Sequence, residues 1–381
     1  MKRILVWQWG RRGGGPRFGL NIARAIARMP GCQVLLSLSR RAEVLQAPDF
    51  PDREVPLWPV ETYGGFGGLI VRLLKAPVVI PGLVRTLRDW RPDLAICAMT
   101  GPLDLLMAVA LYWRRVPFAV VVHDALPHPG DGFPFQHMLQ NMLVRRADVV
   151  VALTQHVARQ LGTLPGVDAR EIVVASLPPF DYISHREQAE APRSPGPLRL
   201  LMFGRLLAYK GIDLLVEALR ALPETLEFEL RIVGLGPETT ELKQLAAMSQ
   251  VTVENRWVPE EQIAALVTWA DVMVLPYREA SQSGVGAVAL AAGRQILATR
   301  VGGLAEQFAG EQGVTLCAPD AADLALALEA LIARGPDAPL KAMASPQLQW
   351  EMMVATLLAD IQAVHNLRPV ARDTGAVVSA S

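Results

Sequence analysis

The chain has 381 residues, 51% of them apolar and 19% charged, which is enough hydrophobic material for two cores and excludes a disordered chain. Basic and acidic residues balance at 37 each, so bulk charge names no partner and no nucleic acid is expected. The cysteines Cys32, Cys97 and Cys317 have no metal-ligand spacing and fit a reduced cytoplasmic protein; MKRILVWQWG is too short in its apolar part for a signal peptide, and no apolar run approaches the ~20 residues of a spanning helix.

The charge is unevenly spread. Residues 1–185 hold 21 Lys+Arg against 14 Asp+Glu, a net of +7, and residues 186–381 hold 16 against 23, a net of −7. A boundary near 185 follows. Arg3 to Trp9 reads as a strand, then comes the glycine-rich GRRGGGPRFG (10–19), then a helix over 20–29. Strand, glycine loop, helix opens a nucleotide-binding α/β fold. The loop does not match G-x-G-x-x-G, so a dinucleotide fingerprint is not supported. Gly14 and Gly15 allow close approach of a ligand or a facing domain. A second strand runs over 31–39.

Residues 56–92 are less regular. After Tyr63-Gly-Gly-Phe-Gly-Gly, the stretch 69–87 mixes apolar residues with Arg72, Lys75 and Arg85, and Pro77 and Pro81 break it. It fits either core helices with arginines outward or a segment lying on an anionic membrane. Next come a strand over 94–99, a helix over 103–113 and the apolar strand 118–122. That strand ends in His123-Asp124. Ligands gather at the carboxyl ends of parallel strands, so this pair stands where chemistry is expected. A helix over 135–146, a strand over 147–153, a helix capped by Thr154 and a strand over 172–175 complete the first half. Residues 185–197, polar and proline-rich, read as a linker.

The second half opens with the stretch LLMFGRLLAYKGIDLLVEALRA (200–221). An apolar strand (198–203) meets Gly204-Arg205, then Lys210-Gly211, then a helix with Ile212, Leu215, Val216 and Leu219 on one face. The free N–H groups at such a helix start favour an anion. Only five of the 37 basic residues are lysines. A lysine in a glycine-flanked loop therefore suits a compact phosphate oxygen. Gly-Arg-Leu-x-x-x-Lys-Gly resembles the diphosphate-binding loop of the retaining glycosyltransferases of family 4 ("group 1"), which have the two-domain GT-B fold.

The resemblance implies an α/β protein with two Rossmann-like domains facing across a cleft. An acceptor-binding domain would span 1–184, with a linker over 185–197 and a nucleotide-sugar domain over 198–345. A helix over 346–366 would pack back on the first domain, and 367–381 would form a disordered tail. It further implies that Arg205 and Lys210 grip the diphosphate and that Gly14 and Gly15 face the donor. His123 would lie near its anomeric carbon, and Gly204, Gly234 and Gly236 close to the nucleotide. Trp257 and Val258 would hold the base through backbone atoms. Relatives usually carry two Glu separated by seven residues after the 271–276 strand. Glu279 matches the first, but Ala287 and Val288 stand where the second belongs. The chain resembles a branch with Gln282-Ser283-Gly284 there, and Ser283 with the N–H groups of Gly284 and Val285 suits phosphate.

The implied activity is transfer of a sugar, with retention, from a UDP- or GDP-sugar to a glycan or polyprenyl-linked acceptor, in bacterial polysaccharide synthesis. No acidic metal-ligand cluster such as Asp-x-Asp is present, so no metal and no cofactor are expected. Arg205 and Lys210 would neutralise the leaving group, and His123 and Glu279 would position the sugar. The basic first half leads us to expect peripheral attachment to the inner face of the plasma membrane. Two other readings stay open: a nucleotide-sugar epimerase of the same fold, and a non-catalytic subunit with a decayed nucleotide site.

Overall fold

The computed structural model describes residues 1–50, 52–128, 130, 135–167, 172–182, 196–336, 340 and 345–367. Two parallel sheets organise them. The first contains β1 (Lys2–Gln8), β2 (Cys32–Ser39), β3 (Leu57–Val60), β4 (Leu94–Cys97), β5 (Phe118–Val122), β6 (Val149–Ala152) and β7 (Ile172–Val174), in the order β3-β2-β1-β4-β5-β6-β7. The second contains β8 (Leu198–Phe203), β9 (Phe228–Gly234), β10 (Val251–Asn255), β11 (Val272–Leu275), β12 (Gln295–Thr299) and β13 (Val314–Cys317), in the order β10-β9-β8-β11-β12-β13. In both, the strand order reverses beside the first strand, the place at whose carboxyl ends parallel α/β sheets usually bind ligands. Strands such as Phe118–Val122 are apolar throughout and fully buried, as sheets covered on both faces require.

The helices of the first half are α1 (Gly14–Ala27), α2 (Phe66–Leu74), α3 (Ala76–Trp90), α4 (Asp104–Arg114), α5 (Gln136–Val144) and α6 (Gln155–Leu161). Those of the second are α7 (Ile212–Ala221), α8 (Thr240–Ala246), α9 (Glu260–Trp269), α10 (Gly284–Ala291), α11 (Leu304–Gln307), α12 (Ala321–Arg334) and α13 (Pro346–Leu367). Helix α13 returns to the first half and packs on α1. Trp350 anchors it: its Nε1 donates to the Pro179 carbonyl at 2.9 Å, and its ring meets Phe18 edge-on at 5.3 Å.

The structure departs from the sequence reading in four places. Helix α1 starts at Gly14, six residues early, because Gly13 at φ 78° turns the chain directly into it. Strand β3 was hidden by Pro59, which an edge strand tolerates. The short β12 and β13 were not separated from the loops around them. In 66–90 the break falls at Lys75, where α2 and α3 bend by 72°. Pro77 lies in the first turn, where no N–H is needed, and Pro81 sits inside α3 without ending it. Residues 185–195 of the expected linker and 368–381 of the expected tail lie outside the described residues.

Candidate active site

In the second half, the loop after β8 is shaped by glycines with no room for a side chain. Gly204 has φ 114°, and a Cβ on Gly234 would sit 1.6 Å from the Gly204 carbonyl oxygen. A Cβ on Gly236 would sit 2.1 Å from the Leu206 carbonyl oxygen, and Leu206 N–H donates to the Leu235 carbonyl at 3.0 Å. Gly234 and Gly236 thus lock one loop against the other. Gly204 itself lies beside Val285 at the start of α10.

Lys210 is half-buried as a residue, and its ammonium sits 3.7 Å above the Tyr277 ring and 4.9 Å from that of Tyr209. Burial pushes its pKa down; nearby Arg205 adds to this, while Tyr209 and Asp124 oppose it. Among the described residues no carboxylate forms an ion pair with it. Aromatic faces hold the charge in place without neutralising it. Arg205 is exposed at the same loop.

Helix α10 completes this face. The expected phosphate role of Ser283 meets a competing local one. Its Oγ accepts the Gly286 N–H at 3.1 Å as an N-cap, and its own N–H donates to Gln307 Oε1 at 2.7 Å. The N–H groups of Gly284 and Val285 have no partner among the described residues. The Gln282 Oε1 is buried without a partner. Ala287 and Val288 are buried in the core, so no carboxylate faces the site from there.

The first half contributes the end of β5. His123 Nε2 lies 3.2 Å from the Ala98 carbonyl and its ring meets Phe18 edge-on. A carbonyl accepts only, so Nε2 carries the proton. Burial pushes this imidazole's pKa down, against Asp124 and the Ala98 carbonyl. A neutral ring with Nδ1 as acceptor results. Gly15 is pressed on Gln8 and Met99, whereas Gly14 faces open space.

The sequence reading found no firm counterpart of His128 in the resembled family and expected it to shape the acceptor side. The structure makes it the bridge across the cleft. Its Nδ1 lies 2.9 Å from Glu279 of the second half, its Nε2 3.1 Å from Asp124 of the first, and its ring stacks on Tyr209 at 4.3 Å. Burial works against its charge, but the hydrogen bonds to Asp124 and Glu279 outweigh that and raise its pKa. Burial likewise opposes the Asp124 carboxylate, and His128 nevertheless holds it below the usual range. A raised histidine contributes stability fully below its unfolded pKa, ~6.5, and loses it as pH rises through the folded value. Melting temperature should therefore fall as pH rises from about 6.5. His128→Gln should flatten that slope; an unchanged slope in the variant would show that the bridge carries no charge.

Trp257 also crosses the cleft. Its Nε1 donates to Glu43 at 3.0 Å, and Arg12 lies over its ring at 5.5 Å. Its carbonyl already accepts from Arg256 Nη1 at 3.3 Å, while Val258 N–H has no partner among the described residues. The structure thus gathers Arg205, Lys210, Glu279 and the start of α10 on one face. His123 lies opposite, beyond the His128 bridge. Among the described residues no cluster of His, Cys, Asp or Glu is placed to hold a metal.

Two Rossmann-like halves whose sheets meet at their carboxyl ends make this a GT-B glycosyltransferase architecture. A profile described as "Glycosyl transferases group 1" matches residues 197–334, and one described as "Glycosyl transferase 4-like domain" matches 13–178. The chain belongs to the group 1 glycosyl transferases. The 2-deoxystreptamine glucosyltransferase of Streptomyces kanamyceticus is 26% identical over 301 residues, 66% of this chain and 76% of that one. The GDP-mannose:glycolipid 4-beta-D-mannosyltransferase of Xanthomonas campestris pv. campestris is 28% identical over 204 residues, 51% of this chain and 53% of its own. Among solved structures, a glycosyltransferase of Rickettsia africae superimposes with a TM-score of 0.68 at 16% identity, over 96% of this chain and 99% of the other. Anabaena HepE in complex with UDP and glucose gives 0.65 at 18% identity over the same shares.

Proposed function

We propose that the protein moves a sugar from a UDP- or GDP-sugar to a glycan or lipid-linked acceptor, with retention of configuration, in bacterial polysaccharide synthesis. The observation that carries this is Lys210, a half-buried cation that forms no ion pair among the described residues. Arg205 lies near it, and the open N–H groups of Gly284 and Val285 belong to the start of α10, which lies beside Gly204. Relatives whose names specify GDP-mannose or whose structures contain UDP support a nucleotide donor.

The residues suggest the following division of work. As the glycosidic bond breaks, charge grows on the departing diphosphate. Lys210, Arg205 and the start of α10 stabilise it without a metal. The acceptor hydroxyl attacks from the same face and passes its proton to a donor phosphate oxygen. His123 Nδ1 accepts a hydrogen bond from a sugar hydroxyl, and Glu279, one oxygen held by His128, accepts another. A thermal-shift screen of nucleoside diphosphates and their sugars identifies the donor. Proton NMR of the first product then tests the reaction: the donor's anomeric configuration is expected, and the opposite configuration would remove the front-face mechanism.

A further inference from the structure

A cavity of about 310 Å³ opens at the carboxyl ends of β2 and β3, away from the cations of the diphosphate face. Its wall includes Arg41, Thr62, Tyr63, Gly64, Arg72 and Lys75. The Arg72 Nε is buried and has no acceptor, an unfavourable state for a guanidinium N–H unless a ligand supplies one. Neither Arg41, Arg72 nor Lys75 forms an ion pair among the described residues. Glu61, also on the wall, is bonded to Arg40 at 2.8 Å. A Cβ on Gly64 would lie 3.7 Å from Arg11 Nη1 and 3.8 Å from Arg41 Nη1, so one further guanidinium group, that of Arg11, joins Arg41 at the rim. Planar forks of this kind match phosphate oxygens.

The pocket adjoins an unusual surface. Of the sixteen exposed large apolar side chains among the described residues, six lie between 66 and 78. Leu74 is 75% and Val78 77% exposed, and in α2 only Leu69 is buried. Helix α3 is fixed to the core by Leu83 and Leu87, which holds the bent pair on the outside of the domain. Among the described residues no single helix is long and apolar enough to cross a membrane. An amphipathic helix of this kind lies in the interface instead.

We infer that this pocket receives the phosphate headgroup of a membrane lipid while α2 lies in the headgroup layer with its apolar face toward the acyl chains. A soluble phosphate would leave the apolar face unexplained, and a second copy of the chain would leave the unpaired cations unexplained. A phosphate joined to a hydrocarbon chain satisfies both. The pocket sits beside the loop after β1, where Glu43 N–H donates to the Arg11 carbonyl at 2.8 Å and the Glu43 carboxylate reaches Trp257. A lipid held there stands at the edge of the cleft. The inference concerns this surface alone and does not depend on the proposed transfer.

The test is co-sedimentation of the full chain with phosphatidylcholine vesicles, with and without phosphatidic acid. Binding is expected only with phosphatidic acid. It should fall about fivefold for each of Arg72→Gln and Lys75→Gln, and be lost in Leu74→Asp. Melting curves of each variant establish folding, and the exposed Lys75→Gln and Leu74→Asp keep the test decisive if Arg72→Gln does not fold. Calorimetry with UDP and GDP on the same variants separates the two readings: vesicle binding without nucleotide binding leaves the lipid site standing and removes the transferase. Three results would overturn the lipid site. They are equal pelleting with neutral vesicles, binding unchanged in both charge variants, or a dimer abolished by Leu74→Asp with no vesicle binding.

Discussion

Lys210→Ala is expected to lower kcat by about 10²–10³-fold, or ~2.7–4 kcal/mol of transition-state stabilisation, with little change in KM. Charge on the departing diphosphate grows as the bond breaks, so the ammonium is worth more in the transition state than in the bound donor. The structure strengthens this expectation. The cation is fixed by the faces of Tyr277 and Tyr209 and forms no ion pair among the described residues, so no reorganisation is needed when charge appears. Lys210→Arg should rescue only part, since a planar fork cannot occupy the position of a compact ammonium. Stability should change only by about the cation–π contribution, ~0.5–2 kcal/mol. Steady-state kinetics at saturating donor give the answer; wild-type kcat in Lys210→Ala would remove the phosphate assignment.

The second large effect concerns Arg17. Its side chain is 4% exposed and joins two carboxylates from opposite halves. It donates to Asp49 Oδ2 at 2.5 Å from Nη1 and to Oδ1 at 3.0 Å from Nη2, and it bonds Glu260 at the start of α9. Arg17→Met would leave Glu260 buried beside Asp49 with no counter-charge. Breaking a buried pair in this way typically destabilises by ~3–5 kcal/mol. Removing the second charge as well, in Arg17→Met/Glu260→Gln, should recover part of the loss. Burial opposes the Asp49 carboxylate, but Arg17 and Arg24 hold it well below the usual range. Such a group stabilises above its unfolded pKa, ~3.9, and loses that contribution as pH falls through the folded value. Thermal melts check both points; a melting temperature within error of wild type in Arg17→Met would show that the halves do not depend on this pin.

Local pattern made much of the second half legible. The apolar run of β8, the glycines at 204 and 211 and the helical spacing from Ile212 gave the strand, the loop and the helix found there. Local pattern also misled. The glycines at 14, 15 and 19 read as loop, yet α1 begins at Gly14 and packs Gly15 and Gly19 against Gln8. Ser283, expected to meet phosphate, has a second use that the sequence reading did not give: its Oγ accepts the Gly286 N–H as the N-cap, which leaves the hydroxyl able to donate. What the sequence could not show is the pairing across the cleft. His128 and Glu279 are 151 residues apart, Glu43 and Trp257 214, and Arg17 and Glu260 243. No periodicity links such positions; only docking of the two halves brings them together.

Isothermal calorimetry with UDP and with GDP, in the presence of a chelator of divalent ions, tests the central claim most directly. One of the two should bind one-to-one, and the affinity should fall when Arg205 and Lys210 are both replaced by alanine. No heat with either nucleotide would contradict the account and leave a glycosyltransferase fold whose nucleotide site has decayed, as the apolar Ala287 and Val288 would then signify.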